Sequence, residues 1–264
     1  MSRPADVVRT LLRGLGQTLI TLGVVVLLFC VYELKVTNLV TARAQDQLGD
    51  DLRQSWAEPS PAAAVSPTPV PSPASTAAAP PASPPPSAAA PSAAAPSAAP
   101  PPPPAPELGS GFAVLRIPRL GDWNDDPPVV VEGVRVADLK KGPGHIPGTA
   151  MPGQVGNLVV SGHRTTYGAP FERLDELRVG DAVVVETGDA WFTYRVTGSQ
   201  IVAPTAVEVT YPVPGDARAT PTRRLLTMTT CHPRYSARQR LIVSAELSAT
   251  DAKSAGPPAA LRGA

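Results

Sequence analysis

Leu225-Leu226-Thr227-Met228-Thr229-Thr230-Cys231-His232-Pro233, followed by Arg238-Gln239-Arg240-Leu241-Ile242-Val243, reads as two β-strands with a thiol at the end of the first. The first run is apolar and β-prone up to Cys231, and a proline stops it. The second opens on arginines. This order puts a thiol at the mouth of a sheet, with a guanidinium on the next strand as a fixed cation for developing negative charge. The plainer alternative is a small buried residue at a strand end. Leu241, Val243, Ala245 and Leu247 alternate as a core face, which leaves Arg240 on the other face with Ile242. Arg234 and Arg238 precede the strand and read as solvated.

The 264-residue chain has two cysteines, and Cys30 lies in a long apolar run. Cys231 is therefore alone in the remainder, which cannot form an internal disulfide or a cysteine-rich zinc site. Asp122, Asp125 and Asp126 cluster without EF-hand spacing, and neither metal nor cofactor is expected. Net charge is +1, so there is no electrostatic case for nucleic acid. Proline reaches 34 residues, concentrated in one tract that cannot pack a core. One β-rich domain is expected, not two.

Outward from the strand pair, the chain divides by composition. Residues 1–13 carry Arg3, Arg9 and Arg13 and are expected in the cytoplasm. Gly14 to Tyr32 has no charge and is about long enough to cross a bilayer as a helix, so 14–34 is expected to be a single-pass anchor. The basic residues before it, against Lys35 and Arg43 after it, favour a cytoplasmic N-terminus. A cleaved signal peptide is the alternative; no small-x-small site directly follows Tyr32. Residues 35–58 are charged and suit a juxtamembrane helix. Residues 59–107 are almost all Pro, Ala, Ser, Thr and Val, a composition expected to stay disordered and extended as a stalk. In polyproline II geometry it would reach at most on the order of 150 Å.

The folded domain is expected at 108–248, with a flexible tail at 249–264. Phe112 to Ile117, Val129 to Val131, Asn157 to Ser161, Ala182 to Glu186 and Trp191 to Val196 read as strands. Gln200 to Ala203 and Ala206 to Val209 add short ones. Val136 to Lys141 suggests a helical turn. Pro170 to Leu177 suggests a helix, with Phe171, Leu174 and Leu177 on one face. Short strands, frequent turns and one or two helices argue for a mostly β, closed or nearly closed barrel.

A thiol nucleophile needs a histidine nearby. Of three histidines, His163 ends a strand beside a polar loop and is the favoured base. His145 lies in the loop Gly142-Pro143-Gly144-His145-Ile146-Pro147-Gly148 and suits a supporting or substrate-lip role. His232 adjoins Cys231, but successive residues on a strand point to opposite faces. Arg240 is the favoured arginine; an edge-strand charge that discourages aggregation is its alternative.

Thr229-Thr230-Cys231, Arg240 and His163 together resemble the sortases. Leu139-Lys140-Lys141-Gly142-Pro143-Gly144-His145, Pro152-Gly153-Gln154-Val155-Gly156-Asn157 and Gly162-His163-Arg164-Thr165-Thr166-Tyr167-Gly168-Ala169-Pro170-Phe171 are similar to class E enzymes of actinobacteria, over roughly 110–248. The resemblance implies an eight-stranded β-barrel and a membrane-bound cysteine transpeptidase. His163 would be the catalytic histidine, Cys231 the nucleophile and Arg240 the oxyanion or substrate-carbonyl arginine. Thr230 would contact substrate, and Tyr167 would help select alanine in a Leu-Ala-x-Thr-Gly signal. The enzyme would cut between Thr and Gly, form a thioacyl intermediate and pass the protein to a cell-wall amine. The implied partners are secreted proteins bearing a C-terminal sorting signal and a peptidoglycan precursor, met outside the plasma membrane. Two alternatives stand beside this: a sortase preferring Leu-Pro-x-Thr-Gly, and an inactive wall-spanning binding module. An L,D-transpeptidase is disfavoured, because Cys231 follows Thr-Thr and not His-Gly.

Overall fold

The computed structural model describes residues 4–57, 105–121 and 126–262. The expected stalk, 59–107, therefore lies almost wholly outside the described residues. A first helix, α1, runs unbroken over Pro4–Ala57. It is long and apolar enough to cross a membrane, and Leu19, Leu27 and Phe29 stand exposed around it, as lipid-facing side chains do. The expected anchor and the expected juxtamembrane helix are thus one element.

Eight strands follow: β1 (Gly111–Arg116), β2 (Val129–Glu132), β3 (Gly144–His145), β4 (Gly156–Ser161), β5 (Ala182–Glu186), β6 (Ala190–Val202), β7 (Arg224–His232) and β8 (Gln239–Ala252), with a one-turn helix α2 at Val136–Leu139. They close into a barrel in the order β1-β2-β3-β4-β7-β8-β6-β5. The pairs β2–β3 and β4–β7 are parallel, and the others are antiparallel. The predominantly β, eight-stranded fold expected from the sequence is the one observed. In the long β6–β8 ribbon the register shifts at Thr193/Tyr194 and Val196/Gly198, and such bulges add the curl that closure needs.

Strand alternation fills the interior. Leu115, Leu158, Val160, Val185, Leu226, Met228 and Val243 are buried in the central cluster. Tyr194 joins them, and its hydroxyl accepts the Gly153 N–H at 2.9 Å. Burial pushes its pKa up to about 12, so the phenol stays neutral.

Four expectations change. Pro170 to Leu177 is not a helix; only Leu174–Glu176 makes a 3₁₀ turn. A segment this short cannot nucleate a helix by itself, and Phe171, Leu174 and Leu177 enter the core as loop anchors. Gln200 to Ala203 is largely the end of β6, and Val207–Thr210 is a 3₁₀ turn, not a strand. The tail is ordered further than composition suggested. β8 continues to Ala252, and Lys253 lies 3.9 Å from the Trp191 ring centroid while pairing with Glu186. A cation over an indole face and beside a carboxylate holds the chain there.

A second apolar cluster lies outside the barrel, where Leu48 and Leu52 of α1 cover Val114, Val129 and Val131 with Trp56 alongside. Burying each leucine contributes roughly 1.5–3 kcal/mol. Gln45 completes the contact. Its Oε1 accepts the Val129 N–H at 2.7 Å, and its Nε2 donates to Lys141 O at 2.7 Å and to Val129 O at 3.2 Å. The β2–β3 pairing begins only at Val131, so Gln45 supplies the partners that Val129 lacks on that side.

Candidate active site

β7 and β8 pair in antiparallel register, with Cys231 opposite Arg240 and Thr230 opposite Leu241. Leu226 and Met228 point inward, as do Leu241 and Val243, so alternation turns Cys231 and Arg240 outward on the same face. Directly paired residues have Cα atoms roughly 4.5–5.5 Å apart. On the other side of β7, β4 runs parallel, with Ser161 beside Thr229. The Gly162 N–H donates to Thr229 O at 3.1 Å, which carries the pairing one step past β4. His163 follows at the level of Cys231, one strand over. Three neighbouring strand ends thus bring His163, Cys231 and Arg240 to one rim, from positions far apart in sequence.

The histidine is held from both sides. Its carbonyl accepts the Phe171 N–H at 3.0 Å, closing the loop 164–170. A Cβ on Gly162 would lie 2.7 Å from the Phe171 ring, so only glycine admits this approach. The His163 ring is half-buried, and desolvation holds its pKa below the usual histidine value. Tyr167 contributes to that cover, with ring centroids 5.0 Å apart. Tyr167→Ala is expected to admit water and raise the His163 titration midpoint toward 6.5, as read by imidazole proton NMR. A neutral imidazole in the folded state means that stability held above pH 6.5 is lost as pH falls below it.

Arg240 is folded back on its own loop, its Nη1 donating to Ala237 O and Gln239 O, each at 3.0 Å. Cys231 is a free thiol of intermediate exposure. The ring of His232 is engaged elsewhere: its Nδ1 lies 2.8 Å from Arg164 Nη1, which makes it an acceptor and puts the ring proton on Nε2.

Arg164 is the residue that sequence reasoning passed over. It is 3 % exposed, and its Nη1 also donates to Cys231 O at 3.4 Å while Nη2 pairs with Asp175 at 2.8 Å. The planar fork thus ties the main chain of the thiol residue to the loop after His163. A guanidinium one residue past the histidine was visible in the chain; its inward course was not. Arg164→Ala is expected to lower stability by about 1.5–3 kcal/mol, the worth of a charge-assisted hydrogen bond. Arg164→Lys should recover little, because a lysine cannot span these acceptors. Thermal unfolding checks both.

Two expected substrate contacts sit inside the frame. Thr230 is 2 % exposed and donates to Gly162 O at 2.8 Å, pinning the end of β4 to β7. His145 is buried, with Nδ1 2.6 Å from Glu132 Oε2 and Nε2 2.8 Å from Thr149 Oγ1. Both ring nitrogens are taken by neighbouring side chains, which suits the supporting role expected for this residue and not the substrate-lip one. Among the described residues no cluster of His, Cys, Asp or Glu suits a metal ion.

Comparison with known proteins points to one family. Residues 115–248 match the family model of the sortase domain. Sortase SrtE1 of Streptomyces coelicolor is 30 % identical over 257 residues, covering 94 % of this chain; the chain spans 60 % of that relative's length. The solved sortase E of Streptomyces avermitilis is 47 % identical with a TM-score of 0.53, over 59 % of this chain and 99 % of that one. Sortase E1 of Streptomyces coelicolor, solved with a tripeptide in its active site, is 36 % identical with a TM-score of 0.53, over 58 % and 97 % of the two chains.

Proposed function

The chain belongs to the sortase family, and from that membership we propose that it is a membrane-anchored cysteine transpeptidase with His163, Cys231 and Arg240 as its reacting set. The observation that carries this reading is the register of β4, β7 and β8, which aligns the three residues on one outer rim. Cys231 Sγ attacks the Thr carbonyl carbon of a sorting signal, and its proton passes to His163. Arg240 leaves its loop carbonyls for the negative oxygen that develops. The Thr–Gly C–N bond breaks, His163 protonates the departing glycine amine, and a thioester remains on Cys231. An amine then attacks that thioester, and the sulfur leaves with a proton returned through His163.

Roles divide by burial. Tyr167 lies beside His163 at the rim and is the residue suited to touch the signal. Thr230 serves the site through the Gly162 carbonyl it holds, and His145 supports the frame through its side-chain bonds to Glu132 and Thr149. The catalytic domain comprises 108–248, with the acceptor amine on a cell-wall precursor and the donor a secreted protein ending in a sorting signal. A cytoplasmic N-terminus puts the barrel outside the plasma membrane.

The likeness to sortase E proteins favours Leu-Ala-x-Thr-Gly over Leu-Pro-x-Thr-Gly. Paired fluorogenic peptides of both kinds, given to the full chain in detergent micelles with an amine acceptor, test this. Faster amine-dependent cleavage of the alanine peptide is expected. A preference for proline would keep the transpeptidase and remove the class E specificity.

A further inference from the structure

Asn38, Thr41, Gln45, Leu48, Leu52 and Trp56 recur along α1 at steps of three and four, which aligns them as one stripe. Every one of them meets the barrel or its loops. The upper end of the stripe meets the active-site loop. Asn38 Oδ1 accepts the Gly168 N–H at 3.0 Å. Thr41 donates to Lys140 O at 2.8 Å, and its methyl would lie 3.3 Å from a Cβ on Gly168. Lys140 Nζ in turn sits 5.4 Å from the Tyr167 ring centroid.

The loop itself is in an uncommon conformation. Tyr167, Gly168 and Ala169 have φ values of 52°, 74° and 45°. Two of the three are not glycine, and such a run persists only where surrounding contacts over-determine it. Within α1 those contacts come from Asn38 and Thr41. Tyr167 is also the ring against His163. A contact path therefore runs from the helix leaving the membrane, through Gly168 and Tyr167, to the histidine.

We propose that α1 is a strut, with Asn38 a positioning residue that braces the His163 loop from the membrane side. Asn38 lies only six residues past Tyr32, the last of the uncharged run, which at helical rise is about 9 Å. The active-site loop then lies within roughly 10 Å of the point where the helix leaves the apolar layer. The height of the barrel above the membrane is set by α1 and not by the length of the proline-rich tract, whose flanks both belong to the strut-and-barrel unit. The rim is thereby held close to the membrane surface. A cavity of about 190 Å³ remains between helix and loop, lined by Asn38, Gln45, Tyr167 and Gly168 among others, and leaves the loop room to move if the brace is released.

The catalytic part of this proposal rests on His163 as the reacting histidine; the structural part does not. The test uses the full chain in nanodiscs as wild type, Asn38→Ala and Asn38→Asp, the last keeping an acceptor for Gly168. Amide exchange at Gly168, the His163 titration midpoint, and kcat and KM with the Leu-Ala-x-Thr-Gly peptide are measured on each. Asn38→Ala is expected to exchange about five-fold faster at Gly168, as the loss of one hydrogen bond implies. Its His163 midpoint should shift and its kcat fall several-fold at unchanged KM, with Asn38→Asp close to wild type in all three. Unchanged exchange and midpoint in Asn38→Ala overturn the brace, and faster exchange with unchanged kcat overturns its catalytic role. A wild type silent toward peptides, with Gly168 exchange still faster in Asn38→Ala, would instead count against the transpeptidase reading and leave the brace standing.

Discussion

Cys231→Ala is expected to abolish acyl transfer while leaving the barrel folded. Cys231 faces outward at intermediate exposure, so removing its sulfur opens no cavity in the central cluster. The loss should reach at least ~10⁴-fold in kcat, the scale seen when a nucleophile is deleted from a unit that acts together. Circular dichroism and thermal unfolding should be nearly unchanged. Cys30 offers no rescue, because it lies on the exposed apolar part of α1. A Cys231→Ala variant that still joined peptide to amine would remove the thiol mechanism. A binding module, by contrast, would keep its partner in this variant.

Arg240→Ala is expected to carry the next largest effect, with kcat lowered about 10²–10³-fold, the usual worth of one donor to a developing oxyanion. The argument comes from register. Arg240 is the residue directly across from Cys231, and a guanidinium has donors beyond the Nη1 that now binds Ala237 O and Gln239 O. Arg240→Lys should recover only part of the rate, because a single ammonium cannot reproduce a planar fork. If Arg240 were only an edge charge against aggregation, alanine would change solubility and leave kcat alone. Single-turnover acylation rates on monodisperse protein separate the two.

The strand pair around Cys231 was legible because its alternation is strong. Leu226, Met228, Leu241 and Val243 fix the inward face, and that alone turns Cys231 and Arg240 to the other side. The end position of His163 was equally readable from a short apolar strand followed by Gly162. What the sequence hid is polar burial. Arg164, Thr230 and His145 are residue types that belong in water unless partnered, and their partners, Cys231 O, Gly162 O and Glu132, are distant or share no local pattern with them. The docking of α1 was concealed for a related reason. Its stripe mixes Asn38, Thr41 and Gln45 with Leu48, Leu52 and Trp56, so a purely apolar periodicity over 38–58 is weak, although the three-four spacing was there to count. The helix expected at Pro170 to Leu177 failed in the opposite way. Three apolar residues at helical spacing also suit a loop that drops three anchors into a core.

Incubating the full chain with a Leu-Ala-x-Thr-Gly peptide, without any amine acceptor, and mapping the trapped adduct by mass spectrometry tests the central claim most directly. A hydroxylamine-labile acyl group ending in threonine, borne on Cys231 and missing from Cys231→Ala, is the predicted result. Cleavage of the peptide at Thr–Gly with no adduct on Cys231, or with one on another residue, would contradict it.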